Sequence, residues 1–191
     1  MTDAFKPSYN ISMREKRGPW IRIASRVAYK TPWTTVREDR VIKPDGKPGI
    51  FSVVQFKSGV SVLALDEKQN VYLVKEYKYA VGRYSLELPT GGIDAKETKL
   101  KAAKRELEEE TGLKAKRWTY LGKIDPFTNQ VNSPAYLYMA RGLFAGTMNW
   151  ESTEKIETVK IPLRKAICLA ETSKITHAQS VVLLLKAKYF L

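Results

Sequence analysis

At 191 residues with 43% apolar side chains, the chain has room for one domain with a substantial core and a small attached subdomain. Its single cysteine excludes an internal disulfide framework and fits a reducing compartment. A formal charge of +13 points to an anionic partner, but the basic residues are dispersed and no zinc-finger or RNA-recognition pattern accompanies them, so nucleic acid is disfavoured.

Residues 1–18 read as weakly ordered, and "MTDAFKPSYNISMREKRGPW" has no apolar stretch of signal-peptide length. From Trp20 the pattern turns β-like, with "WIRIASRVAYK", "WTTVREDRVIK" and "IFSVVQF", the last two joined by the turn "PDGKPG". "VSVLALD", the turn "EKQN", "VYLVKEYKYA" and "YSLELP" follow as a second strand set. Tyr77 and Tyr79 alternate with Lys78, which predicts that at least one of the two is core. Lys99 to Thr111 is predicted helical. "RWTYLGKI", "PAYLYMARGL" and "EKIETVKIP" read as strands, and "LRKAICLAET" and "THAQSVVLLLKAKYF" as closing amphipathic helices. Cys168, in "KAICLA", reads as inert packing, and His177, at the start of the last helix, as a capping or packing residue. The final run "SVVLLLKAKYFL" is broken by lysines and is too short for a bilayer, so a soluble cytoplasmic protein is expected. Strands and helices mixed without βαβ alternation predict an α/β fold with a mixed sheet flanked by helices. The expected division is 1–57, a tail and small β subdomain, and 58–191, the main domain.

The predicted helix carries the chemistry. Asp94 and Glu97 form a capping-box pattern before it, and Gly112 stands where a left-handed C-cap belongs. Leu100, Ala103 and Leu107 make an apolar face, while Glu106, Glu109 and Glu110 share another. Three like charges on one face oppose each other, and Glu108 to Glu110 place negative charge at the helix end where the macrodipole favours cations. Ion pairs with the neighbouring Lys and Arg are one resolution. A divalent cation held by the carboxylate oxygens is the other.

The pattern Gly91-x5-Glu97-x7-Arg105-Glu106-Leu107-x-Glu109-Glu110-x-Gly112-Leu113 resembles a complete Nudix box. The resemblance implies a Nudix fold and hydrolysis of a nucleoside diphosphate linked to another moiety, with magnesium, or alternatively manganese, as the cofactor. By the same resemblance Glu106 and Glu110 are metal ligands, Glu109 is a ligand or a water-orienting group, and the Thr90 carbonyl is an additional ligand. Arg105 and Glu97 are expected to pair and hold loop and helix together; Glu97 falls about 180° from Glu106 on an ideal helix, away from a ligand position.

The likeness extends over residues 20–191. "VYLVKEYKYAVGRYSLELPTGGI" and "TPWTTVREDRVIKPDG" are similar to segments of ADP-ribose and nucleoside-diphosphate-sugar pyrophosphatases. In that branch the N-terminal strands help to form a homodimer. This implies a nucleotide-sugar substrate, no membrane partner, and a homodimer made through the N-terminal β subdomain. Lys78 and Arg83 are candidates to neutralise phosphate, Arg37 to reach it from the N-terminal region, and Trp33 to stack on a base. Dimer packing is the rival role for Trp33, and simple exposure for the two cations. The resemblance puts the general base in "NWESTEKIETV", with Glu154 first and Glu151 and Glu157 as rivals. Hydrolysis of an RNA cap or dinucleoside polyphosphate, and nucleotide sensing without cleavage, stay open as alternatives.

Overall fold

The computed structural model describes residues 10–146 and 156–190. They divide into two compact units: one runs up to Lys57 and takes in Phe127–Ser133, and the other comprises Ser58–Pro126 and the chain from Pro134 onward.

The first unit is an antiparallel meander of β1 (Asn10–Arg17), β2 (Trp20–Lys30), β3 (Thr34–Ile42) and β4 (Pro48–Phe56). Residues 1–9 lie outside the described residues, and for 10–17 the expectation of weak order over residues 1–18 is corrected by β1. Its sequence lacks an apolar alternation, so its order comes from pairing: it turns at Gly18 and runs back along β2, with Arg17 opposite Trp20 and Asn10 opposite Ser25. Glu15 then meets both Arg17 and Arg22.

The second unit holds β5 (Gly59–Leu65), β6 (Asn70–Lys78), β7 (Arg83–Glu87), β8 (Thr90–Gly92), α1 (Lys99–Thr111) and β9 (Leu113–Ile124). The chain then leaves for the first unit, where β10 (Val131–Asn132) pairs in parallel with β4. It returns as β11 (Ala135–Ala145) and, later, β12 (Glu157–Pro162), α2 (Leu163–Glu171) and α3 (Ala178–Ala187). The sheet order is β12-β6-β5-β11-β9. β11 lies parallel to β5, and the other pairings are antiparallel, so the sheet is mixed as the sequence predicts.

Strand parity divides the core. In β5, Val60, Val62 and Ala64 face α1 with Ala102, Ala103 and Leu107. Leu63 and Leu65 point the other way, onto Leu163, Ile167, Leu183 and Leu184 of α2 and α3. Burying Leu107 alone contributes about 2 kcal/mol. α1 spans the predicted residues, but its apolar stripe is rotated: Ala102 is buried, whereas Leu100 is exposed. Cys168 is also exposed, because α2 packs through Leu163, Ala166, Ile167 and Ala170; the packing role read from its apolar surroundings does not hold. No helix among the described residues is long and apolar enough to cross a membrane.

β5 and β6 pair only at Leu65 and Val71, then part company. β8 follows β5 and β7 follows β6, and the chain passes between them through Leu88 and Pro89. This split sets β8 beside α1.

Candidate active site

The helix that carries the acids is anchored at both ends. Thr98 is its N-cap, accepting from the Lys101 amide at 3.3 Å, so the capping box does not start the helix as the sequence suggests. Asp94 and Glu97 do bond reciprocally, Asp94 N–H to Glu97 Oε2 and Glu97 N–H to Asp94 O, both at 3.1 Å, but they close the turn before it. Gly112 ends the helix at φ 67°, donating its N–H to Glu108 O.

Glu106 and Glu110 lie one turn apart within the buried stripe, beside Ala102, Ala103 and Leu107. Gly91 in β8 packs against Glu106 so closely that a Cβ there would overlap its carboxylate. The next residue toward the N-terminus, Thr90, donates its backbone N–H to Glu110 Oε2 at 3.0 Å. Its hydroxyl bonds to Leu88 O at 2.8 Å and Ser61 Oγ at 2.9 Å. The structure therefore brings Glu106, Glu110 and Thr90 together.

Arg105 holds this arrangement. It donates to Glu97 through Nε and Nη2, to the Gly92 carbonyl at 2.8 Å, to Glu106 Oε1 at 2.7 Å and to Glu109 Oε2 at 2.9 Å. The Glu97 pairing matches the expectation of a loop-to-helix tie. It keeps the Glu97 carboxyl below its ordinary range and the guanidinium firmly protonated. Glu109 is the most exposed of the three site acids and is turned to Arg105. The remaining helix-end charge, Glu108, pairs with Lys114 at 2.9 Å.

Burial pushes the Glu106 carboxyl up to about 7 against the pull of Arg105. Burial, reinforced by the like charge of Glu106, raises Glu110 well above the usual carboxylate range. Two desolvated carboxylates facing each other are unfavourable when both are ionised, and a hard divalent cation is the counter-charge that oxygen donors of this kind accept. The donor set thus fits a hard divalent cation. Among the described residues no group of three or more His, Cys, Asp or Glu side chains already converges on one point, since Arg105 draws Glu109 aside.

Lys78 lies on the face of β6 directed at these acids. It pairs with Glu76, and its Nζ is 3.9 Å from Glu87 Oε2. Burial opposes its charge, but Glu76, Glu87 and Glu110 together raise its pKa. Arg83 is exposed and bonds Thr176 Oγ1 at 3.0 Å. In the first unit Arg37 pairs with buried Asp39 at 2.9 Å and lines a cavity of about 340 Å³ with Arg17, Gln55 and residues 128–132. Trp33 is 71% exposed at the turn into β3. Tyr77 and Tyr79 are both exposed, at 50% and 94%, which overturns the expectation that one is core: the hairpin β6–β7 runs beyond the helices that cover its base. Glu154 and Glu151 lie outside the described residues. Glu157 is exposed and pairs with Lys75 at 3.3 Å. His177 occupies the N-cap position of α3 without a capping bond; its Nδ1 is 2.9 Å from Ser180 Oγ.

The site also contains Glu76, Glu87 and Ser180, which belong to no motif in the sequence. Glu76 and Lys78, two apart in a strand, must share a face, which is the one signal that could have marked the first. Glu87 and Ser180 are buried polar residues within apolar runs, and only the packing reveals them.

The Nudix domain model matches residues 55–184, and the model of the nucleoside diphosphate sugar hydrolase N-terminal domain matches residues 18–54. A Streptomyces rubellomurinus CMP-5'-(N-acetyl-N-hydroxy-3-aminopropyl)phosphonate hydrolase is 27% identical over 87% of this chain and 81% of its own length. An ADP-ribose pyrophosphatase of Mycobacterium tuberculosis is 33% identical over 63% of this chain and 59% of its own. An ADP-ribose pyrophosphatase of Bacillus subtilis is 26% identical over 72% of this chain and 75% of its own. The crystal structure of an ADP compounds hydrolase superposes with a TM-score of 0.76 at 23% identity, covering 87% of this chain and 91% of that one, a likeness of fold. With the box helix, the split sheet and a family model spanning most of its length, the chain belongs to the Nudix family.

Proposed function

We propose that this protein is a divalent-metal-dependent pyrophosphatase that cleaves a nucleoside diphosphate linked to a sugar, ADP-ribose or a related nucleotide sugar, into a nucleoside monophosphate and a sugar phosphate. The observation that carries the reading is the pairing of Glu106 and Glu110, both buried and both with raised pKa, beside Thr90 and Gly91 of β8. The two matched domain models and the names of the relatives, which act on nucleotide-linked phosphorus compounds, support it.

Glu106, Glu110 and Glu109, with the Thr90 carbonyl, would hold the metal. When bound, such an ion supplies Lewis acidity and neutralises charge at the pyrophosphate oxygens. The residues of the chain do the rest. Arg105 sets the directions of Glu106 and Glu109 and ties the loop to the helix. Lys78, half-buried beside the acids, and Arg83 offer positive charge to the phosphates. Arg37 and Trp33 are proposed as further substrate contacts. A water oxygen joins one phosphorus, its proton passes to a carboxylate for which we propose Glu154, and the bridging oxygen leaves with the other phosphoryl group. A homodimer formed through the first unit belongs to the same proposal. The exposed Val27, Tyr29, Ile50 and Phe56 of that unit supply apolar surface for it.

The test is product analysis with Mg²⁺ across ADP-ribose, ADP-glucose, GDP-mannose, NADH and dinucleoside polyphosphates. Release of a nucleoside monophosphate and a sugar phosphate from a nucleotide sugar is the expected result. Cleavage confined to dinucleoside polyphosphates would move the assignment to that class, and binding without any product would make the protein a nucleotide sensor.

A further inference from the structure

A run of hydrogen bonds links the last helix to the acid pair. Ser180, in the first turn of α3, is fully buried, and its Oγ accepts from the Leu88 amide at 2.8 Å. A hydroxyl that accepts one bond still has its own proton to place. The atom facing it is His177 Nδ1, at 2.9 Å. Burial holds the His177 pKa below its ordinary value, leaving a neutral ring that accepts at Nδ1 when its proton is on Nε2. Glu87 Oε2, 3.4 Å from Nδ1, and Lys78 are the charged groups that face the ring. Beyond Leu88 the run continues: its carbonyl accepts from Thr90 Oγ1, and the Thr90 amide donates to Glu110.

We propose that Ser180, oriented by His177, is a positioning residue for the acid pair: it sets the Leu88–Thr90 segment at the height where the Thr90 amide meets Glu110. Leu88 is wholly buried. Without the serine its amide would lack an acceptor, and a buried donor in that state shifts to regain one. The shift would be passed to Thr90 two residues on, and so to Glu110. The proposal rests on the assignment of Glu110 to the reaction, although its structural half can be measured without substrate.

The experiment compares Ser180→Ala and Ser180→Thr with the wild type in two readouts. One is amide hydrogen exchange at Thr90 in the free protein, and the other is the separation of kcat from KM on the best nucleotide sugar. Ser180→Ala is expected to speed Thr90 exchange about tenfold and to lower kcat about ten- to a hundredfold with KM within about twofold, the range seen when partners of metal ligands are removed. Ser180→Thr, which keeps the hydroxyl, is expected to restore both. A variant with lowered Tm but wild-type Thr90 exchange and wild-type kcat would overturn the proposal and leave Ser180 a packing residue. Should Ser180→Ala fail to fold, His177→Phe replaces it, removing Nδ1 while keeping a ring, and the same wild-type values would be decisive against. If the wild type cleaves no pyrophosphate, the functional reading fails by itself, and Thr90 exchange alone then upholds or overturns the linkage.

Discussion

Gly91 and Glu106 lie in such close contact that the glycine has no room for a single added methyl: its Cβ would occupy the space of the Glu106 carboxylate. The conflict is with the far end of a side chain and not with backbone, so the structure can relieve it by swinging Glu106 away from Glu110. Gly91→Ala should therefore leave a folded protein, within about 1 kcal/mol of wild type, whose metal-dependent turnover falls about a hundredfold or more. Circular dichroism melting and a Mg²⁺ titration of activity check the two halves. An active Gly91→Ala protein would show that Glu106 does not work from its present position.

Glu110→Gln keeps the shape and the acceptor for the Thr90 amide while removing a charge that is costly to bury. Without metal, its Tm should equal or exceed that of the wild type. Turnover should be lost, by about a thousandfold or more. Near-normal turnover in this variant would remove Glu110 from the metal set.

The raised carboxyls also predict how metal and pH are linked. In Glu106 and Glu110 the protonated form is favoured by the fold, so their contribution to stability is full below the unfolded value of 4.5. It is lost as pH rises, through about 7 in the case of Glu106. A divalent ion needs the ionised forms, so its stabilising effect grows over the same window. The rise in Tm on adding about 5 mM Mg²⁺ should be several degrees larger at about pH 8 than at about pH 5.5. Equal shifts at both pH values would mean that the ion binds elsewhere.

Asp66 gives the opposite sign. Although burial opposes it, the bonds from Lys160 at 2.7 Å and from the Asn70 amide at 2.8 Å lower its carboxyl to about 2. Its stabilisation is present above the unfolded value of 3.8 and disappears as pH falls toward about 2. Solvent screening keeps the amount to about 1 kcal/mol. Asp66→Asn should lower stability near neutral pH and flatten the acid limb of the stability curve; an unchanged acid limb in urea melts would refute this.

Much of this site could be read from the chain because its determinants are local. A helix with Gly112 beyond its last residue, acids at one-turn spacing and Arg105 at the middle of the predicted helix needed no tertiary information to find. The strands of the main sheet were legible for the same reason, through alternation and turns. What escaped notice depends on distant partners. β1 is held by its neighbour strand and not by its own pattern. The Thr98 cap is a local exception: its partner Lys101 is three residues on, and Asp94 and Glu97 close the turn before the helix. Cys168 and Tyr79 have apolar surroundings in sequence but lie on surfaces that no other described element covers, a difference that periodicity does not carry. Ser180 is joined to Leu88 across 92 residues.

β10 is only two residues long, yet through it the first unit draws on a segment encoded far from its other strands. The edge partner of β4 is encoded after α1 and β9, between strands of the Nudix sheet. A cut at residue 57 would strip one unit of an edge strand and leave the other with a loop whose backbone bonds had been made elsewhere. Exchanging N-terminal units among relatives should therefore succeed only when residues 127–133 travel with them.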